Sequence, residues 1–252
     1  MLSCAAALSP TAAPSRRCGH ALAMAPHVLG ETPDWLVATK PYAASVHEGE
    51  DSLLEQLRSG AGRAALYPVH RIDASTTGVV MFAKSAATAA HLQEALRAET
   101  TRKLYTGILM GELCGSGRWT QPLTRRAEGR KNPAGSPKTA RVSASTGYRV
   151  LAADARLSLV ELSLDVAGRT HQIRRHAALG RHPVVGDRRY GEPRHCSRIE
   201  RTFGFGRVAL HASRLRIRID GVDHLFEAPL PAAWDAILEP LDWHGRLPSG
   251  AR

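Results

Sequence analysis

The residues that could do chemistry are concentrated in two short segments, and the first precedes an apolar run. Residues 67–78 (YPVHRIDASTTG) place His70, Arg71 and Asp73 beside small hydroxyl side chains, and residues 79–83 (VVMFA) follow directly. A carboxylate at the mouth of a buried strand loses solvation, which raises its pKa, whereas a neighbouring guanidinium lowers it again. Such a perturbed carboxylate is a candidate catalytic group. The same spacing also fits an Asx-turn, in which Asp73 only binds the backbone ahead of the strand.

The second segment, residues 168–176 (GRTHQIRRH), crowds basic side chains into the start of a predicted helix. Gly168 allows the chain to turn, and Thr170 is placed to cap the helix that follows. Cations at a helix N-terminus are unfavourable unless an anion is near, and a phosphate backbone or a buried carboxylate would supply one. A solvated basic face is the alternative. The combination of arginine with Gln172 and histidine, rather than with exposed glutamate, favours a functional site.

The composition indicates a polyanionic partner. The 252 residues carry 34 Lys and Arg against 23 Asp and Glu, a formal net charge of +11. Such a surface suits nucleic acid, because each cation that meets a phosphate releases a counterion. Compositional drift in a GC-rich genome is the alternative. The 4 cysteines form no C-x-x-C pair, which favours a reducing compartment. No apolar run approaches the roughly 18 residues of a membrane span, so no membrane segment is expected.

The ends of the chain are expected to lie outside the folded domain. Residues 1–28 are rich in Ala and Ser, and no acidic residue precedes Glu31. This composition fits an organellar transit peptide, but it equally fits a disordered tail or a misplaced start with Met24 as the true first residue. We favour a tail or misplaced start and a cytoplasmic protein, with chloroplast or mitochondrion as the alternative. The length fits one domain, placed at residues 29–240, with a C-terminal tail at 241–252.

The elements that position the two segments follow from hydrophobic spacing. Strands are predicted at 35–38, where the first strand would lie, and at 79–83, 103–110, 157–165 and 214–219. Helices are predicted over 51–59, from a cap at Ser85 to about Glu99, and from Thr170 to Leu179 with Gly180 ending it. Residues 114–141, predicted to be basic and mobile around short strands, and residues 192–206 are predicted as polar loops. Strands dominate without a regular βαβ order, which predicts an α+β domain on a mixed, largely antiparallel β-sheet with flanking helices and loops.

Five segments, in the same order along roughly residues 33–230, resemble the motifs of the RluA-type pseudouridine synthases. They are residues 35–47 (the opening K-P…V-H segment), 70–78 (H-R-L-D-x-x-T-S-G), 168–174 (G-R-T-H-Q-I-R), 180–191 (G-H-P-I-x-G-D-x-x-Y-G) and 210–212 (L-H-A). One departure stands out, since Arg175 occupies a position where the family usually has Val. The resemblance implies the pseudouridine synthase fold and an enzyme that isomerises uridine within rRNA or tRNA.

The resemblance also implies roles for individual residues. Asp73 matches the catalytic aspartate, Arg174 the basic residue that pairs with it, and Tyr105 the aromatic residue that stacks on the uracil. Without the resemblance, Tyr105 would be interpreted as an ordinary core aromatic. The residues expected to flip the base or bind substrate are Arg71, Ile173, His70, Thr76, Arg169 and Gln172.

The implied reaction fits the residues that are present. It breaks the N1–C1′ bond, turns the uracil and joins C5 to C1′, so no redox or nucleotide cofactor is needed. The sequence shows no Walker A loop, no G-x-G-x-x-G and no metal-ligand cluster, so no metal or cofactor is expected. An ionised carboxylate could attack the sugar or base, or take a sugar proton. The alternatives are a non-catalytic RNA-binding or assembly protein on the same fold and an RNA N-glycosylase, and a monomer is expected.

Overall fold

The computed structural model describes residues 26–47, 49–59, 65–164 and 168–248. The strands are β1 (Val28–Glu31), β2 (Trp35–Lys40), β3 (Tyr67–Pro68), β4 (Thr77–Ala83), β5 (Arg102–Met110), β6 (Ser116–Trp119), β7 (Leu123–Thr124), β8 (Arg141–Val142), β9 (Thr146–Ala153), β10 (Leu157–Leu164), β11 (Leu210–Ile219) and β12 (Val222–Glu227). The helices are α1 (Leu53–Arg58), α2 (Ala86–Ala95), α3 (Gln172–Leu179), α4 (Pro193–Phe203) and α5 (Asp235–Leu238), with 3₁₀ turns at Ala232–Trp234 and His244–Arg246. Within these residues no helix has the length and apolar character needed to cross a membrane.

Ten strands form one twisted sheet in the order β1-β2-β4-β11-β5-β10-β9-β6, with β12 beside β11 and β3 beside β4. The two remaining strands, β7 and β8, form a separate ribbon. The pairs are antiparallel except β4 with β11, which run parallel. The predicted α+β class and mixed, largely antiparallel sheet are therefore confirmed.

The parallel contact between β4 and β11 fixes the point at which the first chemistry-bearing segment enters the sheet. Gly78 has φ +115°, and a Cβ there would lie 2.1 Å from the carbonyl oxygen of Ala212, so only glycine fits. Beside it, Oγ1 of Thr77 hydrogen-bonds Nδ1 of His211 at 2.7 Å. The glycine of the first motif and the L-H-A strand thus depend on each other, and together they hold the loop that carries Asp73.

Strand β4 contains a continuous apolar run, residues 79–83, because both faces of the sheet are covered there. Its alternate side chains Val80 and Phe82 pack in the cluster that includes α1. Val79 and Met81 point the other way and pack in the cluster that includes α2. The loop that precedes β4 is consequently anchored to the most buried part of the sheet.

The C-terminal boundary lies further along the chain than predicted. Trp243 and Leu247 belong to the largest core cluster, and they are 6% and 8% exposed. Residues 241–248 are therefore part of the folded domain rather than a tail, because these two apolar side chains cover the α5 side of the core. Residues 1–25, most of the predicted N-terminal tail, lie outside the described residues.

Two further details differ from the prediction, namely the place of the Trp35 strand in the strand order and the end of α2. The strand at Trp35 is the second one, since Val28–Glu31 precedes it and pairs with it. Ser85 caps α2 as predicted, accepting a hydrogen bond from the backbone N–H of Thr88 at 3.0 Å. The helix ends at Ala95 rather than near Glu99, because the next hydrogen bonds are i→i+3 turns, with the N–H of Ala98 donating to the Ala95 carbonyl oxygen at 3.2 Å. The hydroxyl of Thr101 donates to the same oxygen at 2.7 Å. Asp165, the last residue of a predicted strand, lies outside the described residues.

The prediction of a polar loop at 192–206 is wrong, because the segment forms α4. Pro193 occupies the first turn, where its missing N–H costs nothing, and Gly204 ends the helix with φ +65°. Only Cys196 and Ile199 are buried. This narrow apolar seam among arginines and other polar residues concealed the helical period.

Candidate active site

A cleft of about 330 Å³ brings the two chemistry-bearing segments together. The loop before β4 forms one side and the start of α3 forms the other, while β5 and β11 supply part of the wall. The predicted site residues that line it are Arg71, Asp73, Thr76, Tyr105, Arg169, Gln172, Ile173 and Arg174.

A larger open groove of about 450 Å³ lies along β6, β9 and β10, and none of the predicted site residues lines it. Its one carboxylate, Glu161, is neutralised by Arg149 at 2.9 Å and by Arg214 at 2.8 Å. We take the smaller cleft as the candidate site, because it gathers a carboxylate, an aromatic ring and apolar contacts in one enclosure.

Asp73 projects its carboxylate into the cleft from the end of the loop. The side chain is 25% exposed, its Oδ2 lies 3.3 Å from Nη1 of Arg174, and its Oδ1 lies 3.9 Å from Nε2 of His171. Among the described residues, no backbone N–H donates to this carboxylate. The Asx-turn alternative therefore does not describe Asp73, whose turn is closed by its backbone carbonyl accepting from the N–H of Thr76 at 2.9 Å.

Lys40 supports the turn that carries Asp73 from beneath. Its side chain is buried, and Nζ donates to the carbonyl oxygens of Pro41, Ala44 and Ala74 at 2.8, 2.8 and 2.9 Å. Burial lowers the pKa of Lys40 to about 7, and the negative charge of Asp73 acts in the opposite direction. The sequence placed Lys40 in a motif but assigned it no role.

Arg174 reaches Asp73 while it is gripped from the other side by Asp187. Its Nε and Nη2 donate to the two oxygens of Asp187 at 2.6 and 2.9 Å, a bidentate pair. Its Nη1 faces Asp73 and Oγ of Ser75, both at 3.3 Å. Burial acts to lower the pKa of Arg174, but the hydrogen bonds and charge of Asp187, with Asp73 adding to them, raise it above the ordinary value. The guanidinium is therefore a fixed positive charge.

Asp187 is the main site residue that the sequence did not identify. It is fully buried, and its Oδ1 also accepts from the backbone N–H groups of Arg189 and Tyr190 at 3.0 and 3.2 Å. It lies in the fourth of the five matched segments, residues 180–191, and the aspartate in that segment was the available signal. A role could not be assigned without knowing that this loop folds back under Arg174.

His171 lies beside the Asp73 carboxylate, and Tyr190 contacts both His171 and Arg174. Nδ1 of His171 hydrogen-bonds the Tyr190 hydroxyl at 2.9 Å, and the guanidinium of Arg174 lies 5.3 Å from the Tyr190 ring centre. His171 has φ +54° and precedes α3 without a side-chain cap, so the predicted capping role of Thr170 is wrong. Burial lowers the pKa of His171, and Asp73 opposes that shift.

Tyr105 and Ile173 give the cleft an apolar wall. Tyr105 lies on β5 opposite Leu162 and packs against two core clusters, and Ile173 is 4% exposed. Burial, assisted by the negative charge of Asp73, raises the pKa of Tyr105, so its phenol stays neutral. The wall can therefore accept a flat, uncharged ring beside the carboxylate.

Three further predicted residues line the cleft. Arg71 is exposed at its rim. Oγ1 of Thr76 and Nε of Arg169 are buried and have no hydrogen-bond partner within the described part of the chain. The contacts of these residues with substrate stay predictions.

The polar side-chain atoms of Gln172 and His70 are hydrogen-bonded to other groups of the protein. Gln172 accepts from the Arg169 N–H at 3.0 Å and donates to Ser145 O and Thr146 Oγ1 at 2.9 and 3.2 Å, so its amide orders the start of α3. His70 does not line the cleft; its Nε2 accepts from the backbone N–H of Met81 at 3.1 Å. Burial, with Lys103 adding to it, lowers the pKa of His70 to about 3. The geometry thus places His70 as an anchor of the loop on β4.

Known proteins are similar to this chain in sequence and in architecture. The chain is 32% identical over 196 residues to tRNA pseudouridine synthase C of Pectobacterium carotovorum subsp. carotovorum, an alignment that covers 73% of this chain but only 52% of that protein. It is 31% identical over 242 residues to ribosomal large subunit pseudouridine synthase C of Vibrio vulnificus, covering 92% and 74% of the two chains. The structure of human RNA pseudouridylate synthase domain containing 1 superposes with a TM-score of 0.67 at 28% identity, over 82% of this chain and 84% of that one.

The family assignment rests on a match that includes both chemistry-bearing segments. The model of the family described as RNA pseudouridylate synthase matches residues 34–179, which contain the Asp73 loop, Tyr105 and all of α3. Together with the relatives above, this match shows that the chain belongs to the RNA pseudouridylate synthase family.

Proposed function

We propose that this protein isomerises a uridine of ribosomal RNA or tRNA to pseudouridine, with Asp73 as its catalytic residue. The observation that carries the proposal is the carboxylate of Asp73, which opens into the cleft 3.3 Å from a guanidinium whose charge is fixed by Asp187. The two kinds of relative, one named for tRNA and one for the large ribosomal subunit, support either RNA class as substrate.

The reaction assigns a task to each side chain of the cleft. The N1–C1′ bond breaks, the uracil turns, and C5 bonds to C1′; C5 loses a proton and N1 ends with one, so the product is an isomer of the substrate. The ionised carboxylate of Asp73 acts on the sugar or the base, either as nucleophile or by taking a sugar proton. Arg174 keeps that carboxylate ionised and oriented, because a fixed positive charge at this distance favours the charged form.

Base binding and base flipping use the remaining residues. The neutral ring of Tyr105 stacks on the uracil, and Ile173 makes an apolar contact to the same base. A uridine in folded RNA must leave its stack before it enters the cleft. Arg71 is exposed at the rim, where it can occupy the space that the uridine leaves.

The proposal extends to the protein as a whole. Residues 29–240 with the adjoining segment to 248 would act as a single catalytic domain, as a monomer and without a cofactor. We place it in the cytoplasm, or in a chloroplast or mitochondrion if residues 1–28 form a transit peptide.

The test is a product analysis with purified protein. The protein is incubated with transcribed large-subunit ribosomal RNA and with unmodified tRNA, pseudouridines are mapped by chemical labelling, and free uracil is measured in parallel. We expect pseudouridine at one or a few positions and no free uracil. Release of free uracil would instead identify an N-glycosylase. Binding of both RNAs with no product from either would favour a non-catalytic binding protein.

A further inference from the structure

Helix α3 serves two structures at once. Gln172, Ile173 and Arg174 line the cleft, and Gln172, Arg175 and His176 bind the segment between β6 and β9. We call this segment, residues 120–145, the arm; it contains the β7–β8 ribbon. The site and the arm are thus held by neighbouring residues of the same helix.

The ends of the arm are tied to α3 by two of these residues. His176 contacts the Gln121 carbonyl oxygen at 3.0 Å and Oγ1 of Thr146 at 2.8 Å, so it bridges the beginning of the arm and the strand that follows it. Gln172 donates to the carbonyl oxygen of Ser145 at 2.9 Å. These contacts close the base of the arm.

Arg175 is the residue of α3 that binds the middle of the arm. The side chain is fully buried, with 0% of its surface exposed. Its Nε donates to the Pro133 carbonyl oxygen at 2.6 Å, and its Nη2 donates to the Ala134 carbonyl oxygen at 3.0 Å. It also donates to the carbonyl oxygen and hydroxyl of Thr124, in β7, at 2.9 and 3.1 Å. One guanidinium thus connects α3 to two chain segments of the arm, one at Thr124 and one at Pro133 and Ala134.

These partners are unusual for a buried arginine, since they include no carboxylate. A buried charge is costly unless it is fully hydrogen-bonded, so the bonds must satisfy the guanidinium through backbone dipoles.

The arm carries exposed positive charge that no acidic side chain neutralises within the part of the chain that the structure describes. Arg125, Arg126, Lys131 and Lys138 are exposed, and none has an ion-pair partner among the described residues. Arg130, by contrast, pairs with Glu192 at 2.6 Å. Free cations on an ordered segment suit the phosphates of a nucleic acid.

The arm also borders the active site. Nη2 of Arg189 donates to the Ala127 carbonyl oxygen at 2.7 Å, and the guanidinium of Arg189 lies 5.8 Å from the Tyr190 ring centre. Tyr190 in turn contacts His171 and Arg174 beside Asp73. An RNA strand that leaves the cleft in this direction meets the arm.

We propose that Arg175 is a positioning residue, which holds the arm against α3 so that Arg125, Arg126 and Lys131 meet RNA phosphates while a uridine occupies the cleft. The proposal rests on the proposed function for its choice of RNA as ligand. An arm ordered before binding does not lose its backbone freedom when RNA arrives, so the tie should strengthen binding rather than accelerate the chemical step.

The experiment measures binding of a fluorescein-labelled 20-nucleotide oligouridine by anisotropy across salt concentrations. Each phosphate contact on a single strand contributes about 0.7 to the slope of log affinity against log salt. The arm variant Arg125→Gln/Arg126→Gln/Lys131→Gln should therefore flatten the slope by about 2. Arg175→Val should flatten it by a similar amount, although it removes no exposed charge.

The combination of the two variants separates positioning from general damage. If Arg175 acts through the arm, Arg175→Val should add little in the arm-variant background, and limited trypsin digestion should cut Arg175→Val within residues 125–131 before it cuts the wild type. Arg175→Lys keeps the charge but cannot bind Thr124, Pro133 and Ala134 together, so it should also weaken RNA binding. It replaces Arg175→Val in the experiment if that variant does not fold. The charge-matched control is Arg97→Gln/Arg201→Gln/Arg246→Gln, on other exposed parts of the surface, which should leave the slope unchanged.

Several outcomes would overturn the proposal. A folded Arg175 variant with wild-type slope, an arm variant without effect, or full additivity of the two changes would each do so. Failure of the proposed function is a different result, since it would appear as wild-type protein that binds oligouridine through the arm yet forms no pseudouridine in any RNA.

Discussion

Arg174 and Asp187 form a bidentate ion pair, with nitrogen–oxygen distances of 2.6 and 2.9 Å, in which the carboxylate is fully buried. The pair leaves only Nη1 of Arg174 to face Asp73. Two acidic residues therefore share one guanidinium, but Asp187 holds it in place and Asp73 remains open to the cleft. Asp187 is therefore a structural carboxylate, and Asp73 is the one that we propose to be catalytic.

The first prediction concerns that structural carboxylate. Asp187→Asn leaves the Arg174 charge without its buried partner, and breaking such a pair typically costs about 3–5 kcal/mol. We expect a comparable fall in the free energy of unfolding measured with urea, and a rate of pseudouridine formation at least tenfold lower at saturating enzyme. Glu200→Gln breaks the exposed Arg188–Glu200 pair of 2.6 Å and should cost no more than about 1 kcal/mol. Equal effects of the two variants would refute the assigned role.

The second prediction concerns the aromatic wall. Tyr105→Ala removes the ring, and loss of one base-stacking contact is worth about 1–3 kcal/mol, or roughly fivefold to more than a hundredfold in substrate affinity. Tyr105→Phe keeps the ring and should stay within a few-fold of wild type, since the phenol is already neutral. The measurement is the enzyme concentration at half-maximal single-turnover rate. An alanine variant with unchanged affinity would show that Tyr105 is only a core residue.

The third prediction concerns pH. Burial lowers the pKa of His211 to about 4, with its hydrogen bond to the Ala228 carbonyl acting against the shift, and burial with Lys103 lowers that of His70 to about 3. In the unfolded chain both would titrate near 6.5, so between about pH 6.5 and 4 the unfolded state binds more protons than the folded state. The contribution of these two residues to the free energy of unfolding is therefore fully present above pH 6.5, and it falls as the pH drops through this window. Urea titrations at pH 7.5, 6, 5 and 4.5 measure the fall, which should be shallower in His211→Gln. The same slope in both proteins would rule out His211 as a source.

The fourth prediction concerns the glycine beneath the catalytic loop. Gly78→Ala places a Cβ 2.1 Å from the Ala212 carbonyl oxygen at φ +115°, so β4 and β11 must separate. We expect a loss of at least about 2 kcal/mol in the free energy of unfolding. Gly221→Ala is the control, because its φ of +81° carries the backbone strain but no atom lies within 4 Å. If the two variants were equally destabilised, the strand contact would not be the cause.

The sequence located the catalytic loop and α3 because each depends on local spacing. Asp73 stands directly before an apolar run, and that run had to become a buried strand. The position of Asp187 could not be predicted in the same way, since it reaches Arg174 only after the chain has turned behind α3. A motif indicated that residue, but only the fold showed its partner.

Arg175 illustrates the other limit of sequence reasoning. The sequence marked Arg175 only as an additional charge on a basic helix, whereas the structure buries it among carbonyl oxygens of the arm. Such burial depends on a loop some 40 residues away in the chain, and loops without apolar patterning give no signal of where they pack. Helix α4 was missed for a related reason, because its buried face is only two residues wide.

The central claim is that the carboxylate of Asp73 performs the reaction, and Asp73→Asn tests it most directly. This variant preserves the side-chain shape, and it is compared with Asp223→Asn, which neutralises an exposed aspartate paired with Arg216. Pseudouridine formed in the RNA substrate is counted by chemical labelling, and RNA binding is measured on the same preparations. We predict that Asp73→Asn binds RNA but forms no pseudouridine, while Asp223→Asn retains wild-type activity. Wild-type product formation by Asp73→Asn would contradict the assignment.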